Sequence, residues 1–254
     1  MAKIIEFPAS QPVDRKRPPG RDLWPAFMEY EAALPRQRYP RKFTHPELGD
    51  LEIRYRLSQW ERMEDAEGDT LRRRSMFGWL ERGRSRVGAI EVWIYDFGFA
   101  LSPQFIHDQL DQYSQAEHDM SCVVLSEWED FGIEVAVYGP LVWIEMAWAE
   151  RNAIPMSIGP AACLELIETI APHYSVLVTQ AFPLEYASRV DPSGPRLLAL
   201  EDRQAAMVRF YNRLFGVERM PGPPGVEGWL WRASPRAASS VPAPTYTTAW
   251  ANEL

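Results

Sequence analysis

Tyr211 stands in the run Met207-Val208-Arg209-Phe210-Tyr211-Asn212-Arg213-Leu214-Phe215-Gly216-Val217-Glu218, which reads as a helix that stops at a glycine and re-enters a strand. A phenol so placed can give a proton to a leaving group and recover it from water. It can equally serve as a core or rim aromatic beside Phe210. Glu145 follows Trp143 and Ile144 in a long apolar run. A carboxylate held among apolar neighbours has its pKa raised and becomes a usable base; on the outer face of a strand it is simply solvated. Ser157-Ile158-Gly159-Pro160-Ala161 opens a helix, with Ser157 as N-cap and Gly159-Pro160 as a turn. Backbone N–H groups at such a start can also hold a phosphate. His107 and Asp111 lie one helical turn apart, the spacing of two metal ligands. No third ligand follows at a matching spacing, so a polar surface face is the expectation and no metal is assigned. Neither a nucleophile elbow nor a GxxxxGK[ST] or GxGxxG run is present, which removes support for a hydrolase triad or a nucleotide loop of those types.

The elements that must position these residues follow from periodicity and breakers. Leu51–Leu57 alternates apolar and charged residues and predicts a half-buried strand. Strands on either side of Gly83, centred on 75–80 and 89–94, predict a hairpin. Ser102-Pro103 starts a helix expected to run to about Glu117. Cys122–Leu125 is a short apolar run of either type. The run 133–149 should be split into two strands by Gly139-Pro140. A helix over 160–170, a strand over 176–179, a helix over 197–214 and a strand at Trp229-Leu230-Trp231 complete a mixed α/β layer pattern. Seven prolines in 8–40 predict an extended leader over 1–43, with one short helix near 23–34. A linker-like tail is expected over 233–254, which leaves the folded domain at 44–232.

Composition narrows the classes. The chain has 254 residues and a formal charge of -8, so nucleic acid is not the expected partner, because phosphate binding needs a basic footprint. An acidic balance suits a cationic substrate such as an amine. Two distant cysteines make no disulfide framework and point to a reducing cytoplasm. No stretch approaches the roughly 18 apolar residues of a membrane span, and no signal peptide is expected.

The order strand, Ala181-Phe182-Pro183-Leu184 bend, helix with the Phe210-Tyr211 pair, Gly216, strand resembles the second half of GNAT-type N-acetyltransferases. The resemblance covers about 133–232. It implies a mixed, mostly antiparallel, bent sheet flanked by helices, with two strands, 141–149 and 176–180, splaying apart to admit acetyl-CoA. It implies transfer of an acetyl group from acetyl-CoA, the co-substrate, to an amine. Tyr211 would be the acid that protonates the thiolate and Glu145 a base. The backbone of Met146, Ala147 and Trp148 would face the thioester carbonyl, with Gln180 on the opposite strand. The N–H groups of Ser157, Ile158, Gly159, Pro160 (which has none) and Ala161 mark the pyrophosphate loop. The family pattern there is Arg or Gln, two residues, Gly, one residue, Gly or Ala; this chain has Ile154, Ser157 and Gly159 at those places, so only Gly159 is kept. The helix after Ser102 also follows the hairpin, where the family has its helices after the first strand. The partners expected are the amine substrate and, for assembly, a second copy of the chain. The alternative reading is a GNAT-like module that binds or regulates without catalysis.

Overall fold

Leu51, Ile53 and Tyr55 fall on one side of a strand and are buried, while Glu52, Arg54 and Arg56 between them stay partly exposed. This period of two is the mark of a strand with one covered face. A computed structural model gives the fold and describes residues 41–44, 51–64, 70–97, 102–127, 135, 139–149, 154, 158–181, 195–220 and 228–234. The strands are β1 (Arg41–Thr44), β2 (Leu51–Leu57), β3 (Glu61–Glu64), β4 (Thr70–Arg82), β5 (Ser85–Asp96), β6 (Leu141–Ala149), β7 (Val176–Gln180), β8 (Glu218–Arg219) and β9 (Trp229–Ala233). The helices are α1 (Pro103–Asp111), α2 (Gln115–Glu127), α3 (Ile158–Ile170) and α4 (Pro195–Phe215).

All nine strands form one open sheet in the order β1-β2-β4-β5-β6-β7-β9-β8, with β3 on the margin of β4. Every pair is antiparallel except β6 with β7. The fold is therefore mixed α/β with a mostly antiparallel sheet flanked by helices, as the sequence leads one to expect. Two cores explain why the central strands lack alternation. On one face Ile90, Val92, Ile144 and Leu177 pack against Ala162, Cys163 and Leu166 of α3 and Val208 and Phe215 of α4. On the other, Tyr95, Leu141, Trp143 and Val178 pack against Phe105, Ile106 and Leu110 of α1 and Met120 and Val124 of α2. Strands covered on both sides read as continuous apolar runs.

Two expectations need correction. The helix from Ser102 does not reach Glu117: α1 ends at Asp111 and α2 begins at Gln115. The restart has a local cause, since Ser114-x-x-Glu117 is a capping pair and the Glu117 N–H donates to Ser114 Oγ at 3.1 Å. The first of the two strands expected in 133–149 is also absent at its one described position, because Val135 is helical. The expected helix near 23–34 lies outside the described residues.

Candidate functional site

β6 and β7 run side by side from Leu141 and Val176 to Ile144 and Thr179, and their pairing stops there. Thr179 closes the junction by donating its hydroxyl to the Ile144 carbonyl at 3.0 Å. Beyond this point, among the described residues, β6 continues on β5 alone: Met146 pairs with Glu91, Ala147 with Ile90 and Trp148 with Ala89. Adjacent strand residues turn their N–H and C=O groups to opposite sides. Alternate residues of 146–149 therefore present backbone donors and acceptors to the gap opened by β7. Val92 faces Ile144 whereas Glu91 faces Met146, so Glu145 is the extra residue of a β-bulge at the mouth of this fork. A bulge re-aims the side chain it carries.

That side chain turns to the α1/α2 face. Glu145 Oε2 accepts from the Trp93 indole at 2.6 Å. Glu145 keeps contact with water, yet the bulk around it pushes its pKa above the ordinary carboxylate value; the Trp93 hydrogen bond opposes the rise, the Glu117 charge adds to it and Arg73 subtracts. Behind it lies a buried polar group. Arg73 bonds Glu117 and, at 2.9 Å, Glu61, and its guanidinium covers the Tyr113 ring at 3.1 Å from the centroid. Tyr95 donates to Glu117 at 2.9 Å. Burial alone would lower the Arg73 pKa, but Glu117 and Glu61 outweigh it and hold the guanidinium charged. Burial pushes the Tyr95 phenol well up, with the Glu117 charge adding to it. Trp143, cross-strand partner of Trp93, is buried with its indole N–H unpartnered among the described residues. A buried unpaired donor is a group that a ligand can satisfy.

Tyr211 stands on the opposite face. Gln204 of α4 packs so closely on Gly228, beside the Ala181 carbonyl, that a Cβ on Gly228 would strike it. At the other end of the helix the Phe215 carbonyl accepts from Arg232 at 2.7 Å, and Arg232 is the partner of Leu177. Thus α4 runs antiparallel to β7. Tyr211 lies between these anchors, nearer Phe215. Its ring meets Phe215 edge-on at 5.4 Å and packs on the core that holds Ile144, Cys163 and Leu177. Burial, with Cys163 nearby, pushes its phenol up to about 12, so it is protonated at neutral pH.

α3 follows β6 and begins at Ile158, with no acidic residue in its first turn. Its first turn offers the N–H groups of Ile158, Gly159 and Ala161, while Pro160 has none and is buried. Ser157 and the side chain of Trp148 lie outside the described residues. Ile154, at the place of the family's basic residue, is 5% exposed and belongs to the core. Gln180 ends β7, past the last pairing with β6. Glu145, Met146, Ala147 and Gln180 lie just past the end of the β6–β7 pairing, whereas Tyr211 packs on the face of the sheet opposite the Glu145 side chain. Sequence reasoning missed Trp93, Arg73, Glu117 and Trp143: Arg73 stands in a run of three arginines and Glu117 at an expected helix end, where a solvated charge is the ordinary expectation, yet both are buried.

Compared with known proteins, the chain matches no family model and no curated protein. A solved apo structure of an agmatine N-acetyltransferase variant is similar over 62% of this chain and 74% of that one, at 7% identity and a TM-score of 0.33. A likeness of that size carries no inference about activity. No helix among the described residues is long and apolar enough to cross a membrane.

Proposed function

We propose that the chain transfers an acetyl group from acetyl-CoA to an amine. The observation that carries this reading is the fork between β6 and β7, with a carboxylate on one side of the sheet and a protonated phenol on the other. A pantetheine arm is an extended chain with amides, and the β6 edge beyond Ile144, which no described strand pairs on the β7 side, is what such a chain can hydrogen-bond. In this reading the thioester carbonyl sits in the gap against backbone N–H groups of 146–148. The amine enters from the α1/α2 face, gives a proton to Glu145 and attacks the carbonyl carbon. The C–N bond forms, the C–S bond breaks, the thiolate leaves toward Tyr211, which supplies its proton, and the second proton of the nitrogen passes to water, from which Tyr211 recovers its own. Attack and departure on opposite faces follow from the placement of the two residues. Positioning supplies most of the rate, because no covalent step falls to the protein.

Calorimetric titration with acetyl-CoA, alongside a Ser157→Glu variant, tests the reading. Binding that the variant loses is the expected result and leads to a screen of amines. No binding at millimolar acetyl-CoA removes the transferase. The second reading, a module that binds without catalysis, is favoured by one observation: Ile154 is in the core where a basic residue would meet the pyrophosphate. It predicts acetyl-CoA or amine binding without turnover.

A further inference from the structure

His107 on α1 and His118 and Cys122 on α2 bring three ligand atoms within 4.8 Å of one another. The transfer reading uses none of them. Cys122 Sγ lies 3.3 Å from His107 Nε2 and 3.5 Å from His118 Nε2. With Zn–S about 2.3 Å and Zn–N about 2.0 Å, two ligands at a tetrahedral angle stand roughly 3.5 Å apart. Both gaps match edges of such a tetrahedron. His118 and Cys122 are i and i+4 on one helix and so share a face, and the His107 ring meets the His118 ring edge-on at 5.0 Å.

Hydrogen bonding alone serves this cluster poorly. One S–H can donate to one ring nitrogen, and toward a second the sulfur is only a weak acceptor. Asp111 Oδ1 lies 2.8 Å from His118 Nδ1, and Asp108 Oδ1 3.7 Å from His107 Nδ1. Neither contact is aligned as a hydrogen bond, since both Nδ1 atoms lack such a partner. Each carboxylate charge still favours the ring proton on Nδ1. With the protons there, both Nε2 lone pairs would face the same sulfur, an arrangement a cation resolves. Carboxylates behind ligating histidines are the usual outer shell of a metal site.

We propose that His107 Nε2, His118 Nε2 and Cys122 Sγ bind a zinc-class divalent cation, with a fourth position open to water. Binding releases the Cys122 thiol proton to solvent and leaves one net positive charge, which Asp108 and Asp111 face. His107 and His118 keep 30% and 31% of their side-chain exposure, and Cys122 is exposed, so the ion has an entry path. Two imidazoles with a thiolate select zinc over magnesium or calcium. The ion ties α1 to α2 and holds Glu117, the sequence neighbour of His118, against Arg73.

Titration of the full chain with Co2+ as a spectroscopic stand-in tests the site. The expected result is one Co2+ per chain, a thiolate-to-cobalt charge-transfer band, and displacement by one equivalent of Zn2+. Cys122→Ser should abolish the band while circular dichroism stays unchanged. His118→Ala should weaken binding at least tenfold, and Asp111→Asn by about 10–100-fold. No band at saturating Co2+, or a band that persists in Cys122→Ser, overturns the proposal. Neither outcome bears on acetyl-CoA binding.

Discussion

At the residue scale the transfer reading rests on Tyr211 and Glu145, and conservative substitutions separate the chemistry of each from its packing. The Tyr211 ring fills space against Cys163 and Phe215, but no hydrogen bond is seen for its hydroxyl among the described residues. Tyr211→Phe should therefore change the urea midpoint little, by about 1 kcal/mol or less, while kcat falls by roughly 10²-fold. An equal loss of acetyl-CoA affinity would instead make Tyr211 a binding residue. Glu145 acts as a base only when ionised. Because its pKa is raised, the active form appears above the ordinary carboxylate value, and kcat/KM should climb as pH rises through it. Glu145→Gln should erase that acidic limb and cost on the order of 10²-fold at neutral pH. A pH profile unchanged in the variant would assign the base elsewhere.

At the element scale the position of β6 depends on how the chain enters it. Gly139 has φ of 130°, a conformation that L side chains avoid, and a Cβ there would run into the His173 carbonyl. Pro140 accepts from the Ser175 N–H at 2.9 Å, which locks the start of β6 to the turn between α3 and β7. The fork therefore opens from a fixed junction. Gly139→Ala should lower stability by about 1–3 kcal/mol, read as a drop in thermal midpoint, and weaken acetyl-CoA binding with it. The GlyPro breaker was legible in the sequence, and so were β2, the β4–β5 hairpin and α4. The break between α1 and α2 was also legible, as Ser114-x-x-Glu117, but a continuing apolar stripe masked it. The bulge at Glu145 was not: one extra residue in a pairing leaves no mark on a strand whose neighbours are all apolar.

At the scale of the whole molecule, one buried ion pair joins the sheet to the α1/α2 layer. Arg73 of β4 and Glu117 of α2 have side chains 9% and 5% exposed, and neither has enough water to carry its charge alone. Truncating one partner strands the other. Arg73→Ala should cost about 3–5 kcal/mol, measured by urea unfolding, and loosen the wall behind Glu145. A cost near zero would mean that Glu117 finds water or another partner.

The sequence by itself determined the layer class, most of the elements and the placement of Tyr211 on a helix that ends at Gly216. These are local properties, set by periods of 2 and 3.6 residues and by Gly, Pro and capping residues. Only the tertiary structure decided what those elements bring together. Arg73 and Glu117 meet because β4 lies under α2, and nothing in their separate neighbourhoods announces it. His107 and Asp111 look like a surface face until the turn after α1 lays His118 and Cys122 against them. Tyr211 packs on the core that holds Ile144 and Leu177 because α4 lies along β7, antiparallel to it. Side-chain period fixes which way a residue faces on its own element. Chain topology fixes what it faces, and that is settled only when distant segments bury their apolar surfaces together.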